Sequence, residues 1–142
     1  NKGVGVHLGF AIGLAHVQGA SVTGNKFTNY QSEVVHIEDR TSDVVVRGNS
    51  FVKSALANTT HASHVFIING STSITVEANT FDTRTNPNRV NAVFVNPGGT
   101  GLVAPTQIKV TSNTFLLNSL SRDVYSSGVP SVTVSSNTTE RG

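Results

Sequence analysis

Cysteine, methionine and tryptophan are absent from this chain of 142 residues, and only 13% of its positions are charged. Without cysteine there is no disulfide framework, no thiolate nucleophile and no thiolate metal site. No apolar run approaches the roughly 20 residues that a membrane span needs. Sparse charge and a mean hydropathy of -0.05 exclude a chain held unfolded by its own charge. Ten Lys and Arg exceed eight Asp and Glu by a small margin and are scattered from Lys2 to Arg141, so the pI of about 9.3 is no nucleic-acid signature. Helical patterning is missing too: the longest helix-tolerant piece, Ser54-Ala55-Leu56-Ala57, is too short to nucleate. The chain opens on Asn1-Lys2-Gly3 with no signal-type segment, which reads as a processed product or a piece of something longer.

What the sequence holds in excess points the other way. Twenty-one Val against seven Leu, with 17 Thr, 16 Ser, 14 Asn and 13 Gly, favour strands and tight turns. One pattern recurs five times: Val22-Thr23-Gly24-Asn25-Lys26-Phe27, Val46-Arg47-Gly48-Asn49-Ser50-Phe51, Val76-Glu77-Ala78-Asn79-Thr80-Phe81, Val110-Thr111-Ser112-Asn113-Thr114-Phe115 and Val134-Ser135-Ser136-Asn137-Thr138-Thr139. The Asn-to-Asn spacings are 24, 30, 34 and 24, a unit of 24 residues with insertions of roughly 6 and 10 in the longer copies. Two residues before each Val stands another apolar residue (Ala20, Val44, Ile74, Ile108, Val132), the period of a strand with one buried face. A second strand is expected about a dozen residues before each Asn, in Ala11 to Ala15, Val34 to Ile37, Val65 to Ile68 and Ala92 to Val95, with a weaker one around Asp123 to Tyr125. Such a unit cannot bury its apolar face alone, so it must coil and stack on its neighbours.

The V-x-x-N-x-F unit resembles the repeat of right-handed parallel β-helices, the superfamily of pectate lyases, polygalacturonases, polysaccharide epimerases and phage tailspike depolymerases. The expected fold is all-β, a right-handed parallel β-helix of about five coils at roughly 24 residues each, filling residues 1–142 as one domain and forming a C-terminal portion of a longer protein or one chain of an assembly. The five Asn residues should form an internal ladder at a sharp turn, and Phe27, Phe51, Phe81 and Phe115 should stack inside, each burial contributing about 2 to 3 kcal/mol. Thr139 breaks that row and marks the end of the solenoid.

Aligning the upstream strands on their Asn puts Val35, Ile37, Val65, Ile67, Val93 and Val95 inside. Gly13, His36, Phe66 and Phe94 then form an outward column, beside a second one of Ala15, Glu38, Ile68 and Asn96. Phe66 and Phe94 on the wall of a solenoid are either a sugar-stacking platform or a surface covered by a neighbouring chain or a loop, for which Asn96 to Pro105 is available. The densest polar group is His36-Ile37-Glu38-Asp39-Arg40, with Glu33 before it. Glycoside hydrolysis needs two carboxylates, and elimination needs a base with a cation, Arg or calcium, to neutralise a uronate; Glu38, Asp39, His36 and Arg40 can supply either, or can form a solvated turn with local ion pairs. Arg84 and Arg89, on the first insertion with Asp82, are candidate groove-lining residues. His61 and His64 fall in a loop with no acidic partner at metal spacing, His7 and His16 stand alone, and no metal site is expected, calcium being the one cation the resemblance allows. Arg47 and Glu77 share an outward position suited to a cross-strand pair.

The resemblance implies a β-helix segment that binds or cleaves polysaccharide, as a glycoside hydrolase or a polysaccharide lyase, outside the cytoplasm: extracellular, at a cell surface or on a virion. The rival is a non-catalytic structural module, such as part of a trimeric tailspike-like fibre. The expected partners are accordingly polysaccharide, a homotrimer or the rest of a longer chain, with no nucleic acid and no membrane span.

Overall fold

The computed structural model describes residues 9–126 and 128–142, so Asn1-Lys2-Gly3 and His7 lie outside the described residues. Fifteen strands and no helix make up the described chain. They fall into three sheets of five. The first sheet holds β1 (Ile12–Ala15), β4 (Val35–Glu38), β7 (Ser63–Ile67), β10 (Asn91–Val95) and β13 (Arg122–Tyr125). The second holds β2 (Gln18–Thr23), β5 (Ser42–Arg47), β8 (Thr72–Glu77), β11 (Thr106–Thr111) and β14 (Val132–Ser135). The third holds β3 (Lys26–Thr28), β6 (Ser50–Val52), β9 (Thr80–Asp82), β12 (Thr114–Leu117) and β15 (Thr138–Arg141).

Strands adjacent in sequence never pair; each pairs in parallel with the strand three further on, which is a three-walled coil. The repeat sets the register. Val22, Val46, Val76, Val110 and Val134 stand directly over one another, as do Ala20, Val44, Ile74, Ile108 and Val132. From Val22 to Val134 the chain makes four turns at about 28 residues each, so the unit of 24 expected from the shortest copies is the minimum turn and five rungs enclose four full coils.

The repeat is one bent element rather than a single strand. It divides at its Asn, where the preceding residue is left-handed in every copy: Gly24 (φ 67°), Gly48 (66°), Ala78 (53°), Ser112 (57°) and Ser136 (57°). That conformation turns the chain from the second wall into the third, and only the two glycines adopt it without a steric cost. The bend aims each Asn down the axis. Asn25 donates its backbone N–H (2.9 Å) and its side-chain amide (3.1 Å) to Oδ1 of Asn49, and the same pair of bonds runs from Asn49 to Asn79, Asn79 to Asn113 and Asn113 to Asn137. The remaining amide hydrogen goes to the carbonyl of the Val one coil back, as from Asn79 to Val46 at 2.9 Å. Every polar atom of the buried corner is thereby satisfied, the condition for polar groups at a core edge.

Phe27, Phe51, Phe81 and Phe115 stack inside at ring separations of 5.0, 4.8 and 5.2 Å. Thr139 continues their register at the far end, exposed, with its hydroxyl bonded to Asp123 at 3.0 Å. The expected Arg47–Glu77 pair joins neighbouring rungs of the second sheet, Nε donating at 2.8 Å. No described helix is long and apolar enough to cross a membrane.

Candidate functional site

The first sheet carries a second aromatic row, on its outer face. Gly13, His36, Phe66, Phe94 and Tyr125 stand in register on successive rungs, with Val35, Ile37, Val65, Ile67, Val93 and Val95 turned into the core beside them. Phe10 lies on His36 (4.1 Å between ring centres), His36 meets Phe66 edge-on (4.9 Å), Phe66 meets Phe94 (5.3 Å), and Phe94 meets Tyr125 (5.0 Å). The alignment of the upstream strands is therefore correct, and of the alternatives for Phe66 and Phe94 it is cover by a loop that the structure shows: they are 1% and 7% exposed. The insertion between β6 and β7 covers them. Its His61 ring stacks on Phe66 at 5.0 Å and sets its edge on Phe94 at 5.9 Å. This insertion is anchored by backbone bonds from Leu56 to Tyr30 and Ala57 to Gln31, and by a small apolar cluster of Ala55, Ala62 and Val90. The Asn96–Pro105 segment packs elsewhere, on the Asn69–Gly70 turn, through Gly70 N–H to Val103 O at 2.7 Å.

The His36 to Arg40 group does not converge. His36 Nε2 is 3.2 Å from Oε2 of Glu38, and the buried His36 leaves Nδ1 without a partner beneath Phe10. Asp39 and Arg40 are the left-handed corner after β4, with φ of 52° and 61°. Asp39 accepts the Asn69 amide at 2.7 Å, and Arg40 N–H donates to Asn69 O at 2.9 Å. Both residues thus take part in a turn ladder that continues through Val103 N–H to Oδ1 of Asn69 at 3.2 Å. Glu33 is buried against the Ser32 hydroxyl. Each carboxylate has its own local partner, an arrangement that holds corners in register.

The two insertion arginines separate as well. Arg84 is held in a two-point pair by Asp82 (3.0 and 2.7 Å), and that pair draws the Asp82 carboxyl below its usual range. Arg89 instead donates Nε to Leu120 O at 3.2 Å, on the next coil. His64, expected in a loop, belongs to β7 and is fully buried, its ring stacked on Phe51 (5.6 Å) and Phe81 (5.8 Å) of the inner row. Neither ring nitrogen makes a well-formed hydrogen bond. Burial lowers its pKa to about 4, opposed in part by the Ser54 backbone and the Asp82 carboxylate.

One groove opens on this outer wall, with a volume of about 510 Å³. Tyr125 and the small part of Phe94 that His61 leaves uncovered form its aromatic surface, where the outer row emerges from under the insertion. One bank is Asn58, Thr59, Thr60 and Ala62; the other is Asn88, Arg89 and Leu120, with Asn91 and Arg122 along the strands between. The Arg122 guanidinium carbon sits 4.5 Å from the centre of the Tyr125 ring. Asn91 is 7% exposed, and its Oδ1 has no hydrogen-bond partner. Of the residues singled out from sequence, Phe94 and Arg89 line this groove, whereas Phe66, Arg84 and the His36 to Arg40 group do not. Tyr125 and Arg122 escaped the sequence reading because the last upstream strand is weak and its rung lacks the Val-rich pattern; the spacing of 31 residues from Phe94 to Tyr125 was the available signal. No carboxylate lines the groove, and among the described residues no three His, Cys, Asp or Glu side chains are grouped to hold a metal. No family model, no curated protein and no solved structure shows significant similarity to this chain.

Proposed function

We propose that this chain is a saccharide-binding β-solenoid that holds a stretch of polysaccharide in the groove over Phe94 and Tyr125, outside the cytoplasm where such polymers are met. The observation that carries the reading is the make-up of the groove: an aromatic and apolar floor between banks of amides and hydroxyls. A sugar has the matching pattern, C–H faces that pack on a ring and hydroxyl edges that bond Asn and Thr. Binding is favoured over cleavage. Hydrolysis of a glycosidic bond uses two carboxylates flanking it, the groove lining has none, and Glu38 and Asp39 are committed to His36 and Asn69.

The test is retention of the protein in native gels cast with soluble polysaccharides, with reducing-end release measured on the same polymers. Retardation without new reducing ends is the expected result. Tyr125→Ala should weaken retardation about tenfold or more, as loss of an aromatic anchor does, while the thermal midpoint stays within a few degrees. Release of reducing ends by the wild type, or mobility unaffected by every polysaccharide, overturns the reading.

A further inference from the structure

We infer that the ligand of this groove is anionic and that Arg89 and Arg122 select it, an inference that rests on the saccharide reading above. The two guanidinium groups stand apart from the paired ones on the same molecule. Arg47 is matched by Glu77 and Arg84 by Asp82, but neither Arg89 nor Arg122 has a carboxylate within ion-pair distance among the described residues. Both side chains are exposed, and both border a groove whose lining contains no acidic residue. Their fields therefore add within a concave surface and are cancelled by nothing in it.

The positions are fixed rather than free. Arg89 is tethered through Nε to Leu120 O at 3.2 Å, which leaves its terminal nitrogens for a ligand. Arg122 is laid over the Tyr125 ring, which holds its planar fork near the groove floor. Between the elements that carry them, Asn91 is more than nine-tenths buried with Oδ1 unmatched, an acceptor at the base of the site to which a sugar hydroxyl can donate. A carboxylate or sulfate substituent accepts from two guanidinium forks; a neutral sugar hydroxyl uses neither charge. Carboxylated and sulfated glycans share this chemistry, and the experiment separates them.

The whole chain is run in native gels containing neutral dextran, dextran sulfate, polygalacturonate or the sugar-free polyanion polyacrylate, at low and at about 0.5 M salt. Arg89→Gln, Arg122→Gln and Arg47→Gln are run beside the wild type, the last removing the same charge from another wall. Retardation by dextran sulfate or polygalacturonate but not by dextran, weakened about tenfold in Arg89→Gln and Arg122→Gln, kept in Arg47→Gln and relieved by salt, is the expected result. Whichever of the two polymers acts at lower concentration identifies sulfate or carboxylate. Equal retardation by dextran that survives Arg89→Gln and Arg122→Gln overturns the charge selection and leaves the saccharide reading intact. Equal retardation by polyacrylate overturns the saccharide reading and leaves the anion site. Loss of binding in Arg47→Gln equal to that in Arg122→Gln overturns the assignment of the site, since net charge alone then governs.

Discussion

Asn79 gives both its backbone N–H and its side-chain amide to a single oxygen, Oδ1 of Asn113, at 3.0 Å each. The pair sits at a corner where Asn79 is 1% exposed, and the other amide hydrogen is used on Val46 O, so no water can replace what the side chain supplies. The ladder is consequently a row of obligatory polar contacts along the axis.

Replacing Asn79 by Ala should lower stability by about 1 to 3 kcal/mol, the range for stranding buried polar groups. Asn86→Ala should also destabilise, because Asn86 is buried and donates to Ser54 O at 2.7 Å, although its place in an insertion suggests otherwise from sequence. Asn58→Ala, on the exposed bank of the groove, should leave the urea midpoint unchanged. A midpoint for Asn79→Ala equal to that of Asn58→Ala would show the ladder to be energetically idle.

His64 makes stability depend on pH. Folding lowers its pKa from 6.5 to about 4, so the unfolded chain takes up a proton at a pH where the folded chain does not. The contribution of the neutral ring is complete above pH 6.5, declines as pH falls from there toward 4, and is lost below that, about 3 kcal/mol in all. Asp82, also lowered, loses its contribution only below its ordinary value of 3.8. Urea midpoints measured at pH 7 and pH 4.5 should therefore differ in the wild type and converge in His64→Phe, which keeps the stack and removes the titration. An undiminished pH dependence in His64→Phe would assign it to other groups.

Phe66 lies outside the inner core but beneath the His61 ring, so its loss should be felt in the monomer. Phe66→Ala is expected to cost about 3 kcal/mol, in the range of Phe81→Ala, while Phe10→Ala, at a ring 42% exposed, should cost far less. Thermal midpoints of the three variants rank the outer row directly. A Phe66→Ala midpoint near that of Phe10→Ala would mean that the insertion covers the ring without packing on it.

The coil, its inner columns and its Asn corners were all legible in the chain. Five copies of one pattern in fixed phase leave a single way to bury the Val and Phe of the first four, and a slip of one residue would turn each of them outward. The outward positions of His36, Phe66 and Phe94 followed from the same phase. What covers an outward position did not, because cover comes from insertions that obey no repeat. The path of residues 54–62 decided that Phe66 is buried under His61, that His64 enters the inner aromatic stack, and that a groove is left open over Phe94 and Tyr125. Likewise the adjacent residues Glu38, Asp39 and Arg40 read as one cluster, and the left-handed corner after β4 disperses them onto separate partners. Periodic burial is written locally and repeated, so sequence determines it; the meeting of Arg89 with Arg122, 33 positions apart on successive rungs, exists only once the coil has closed.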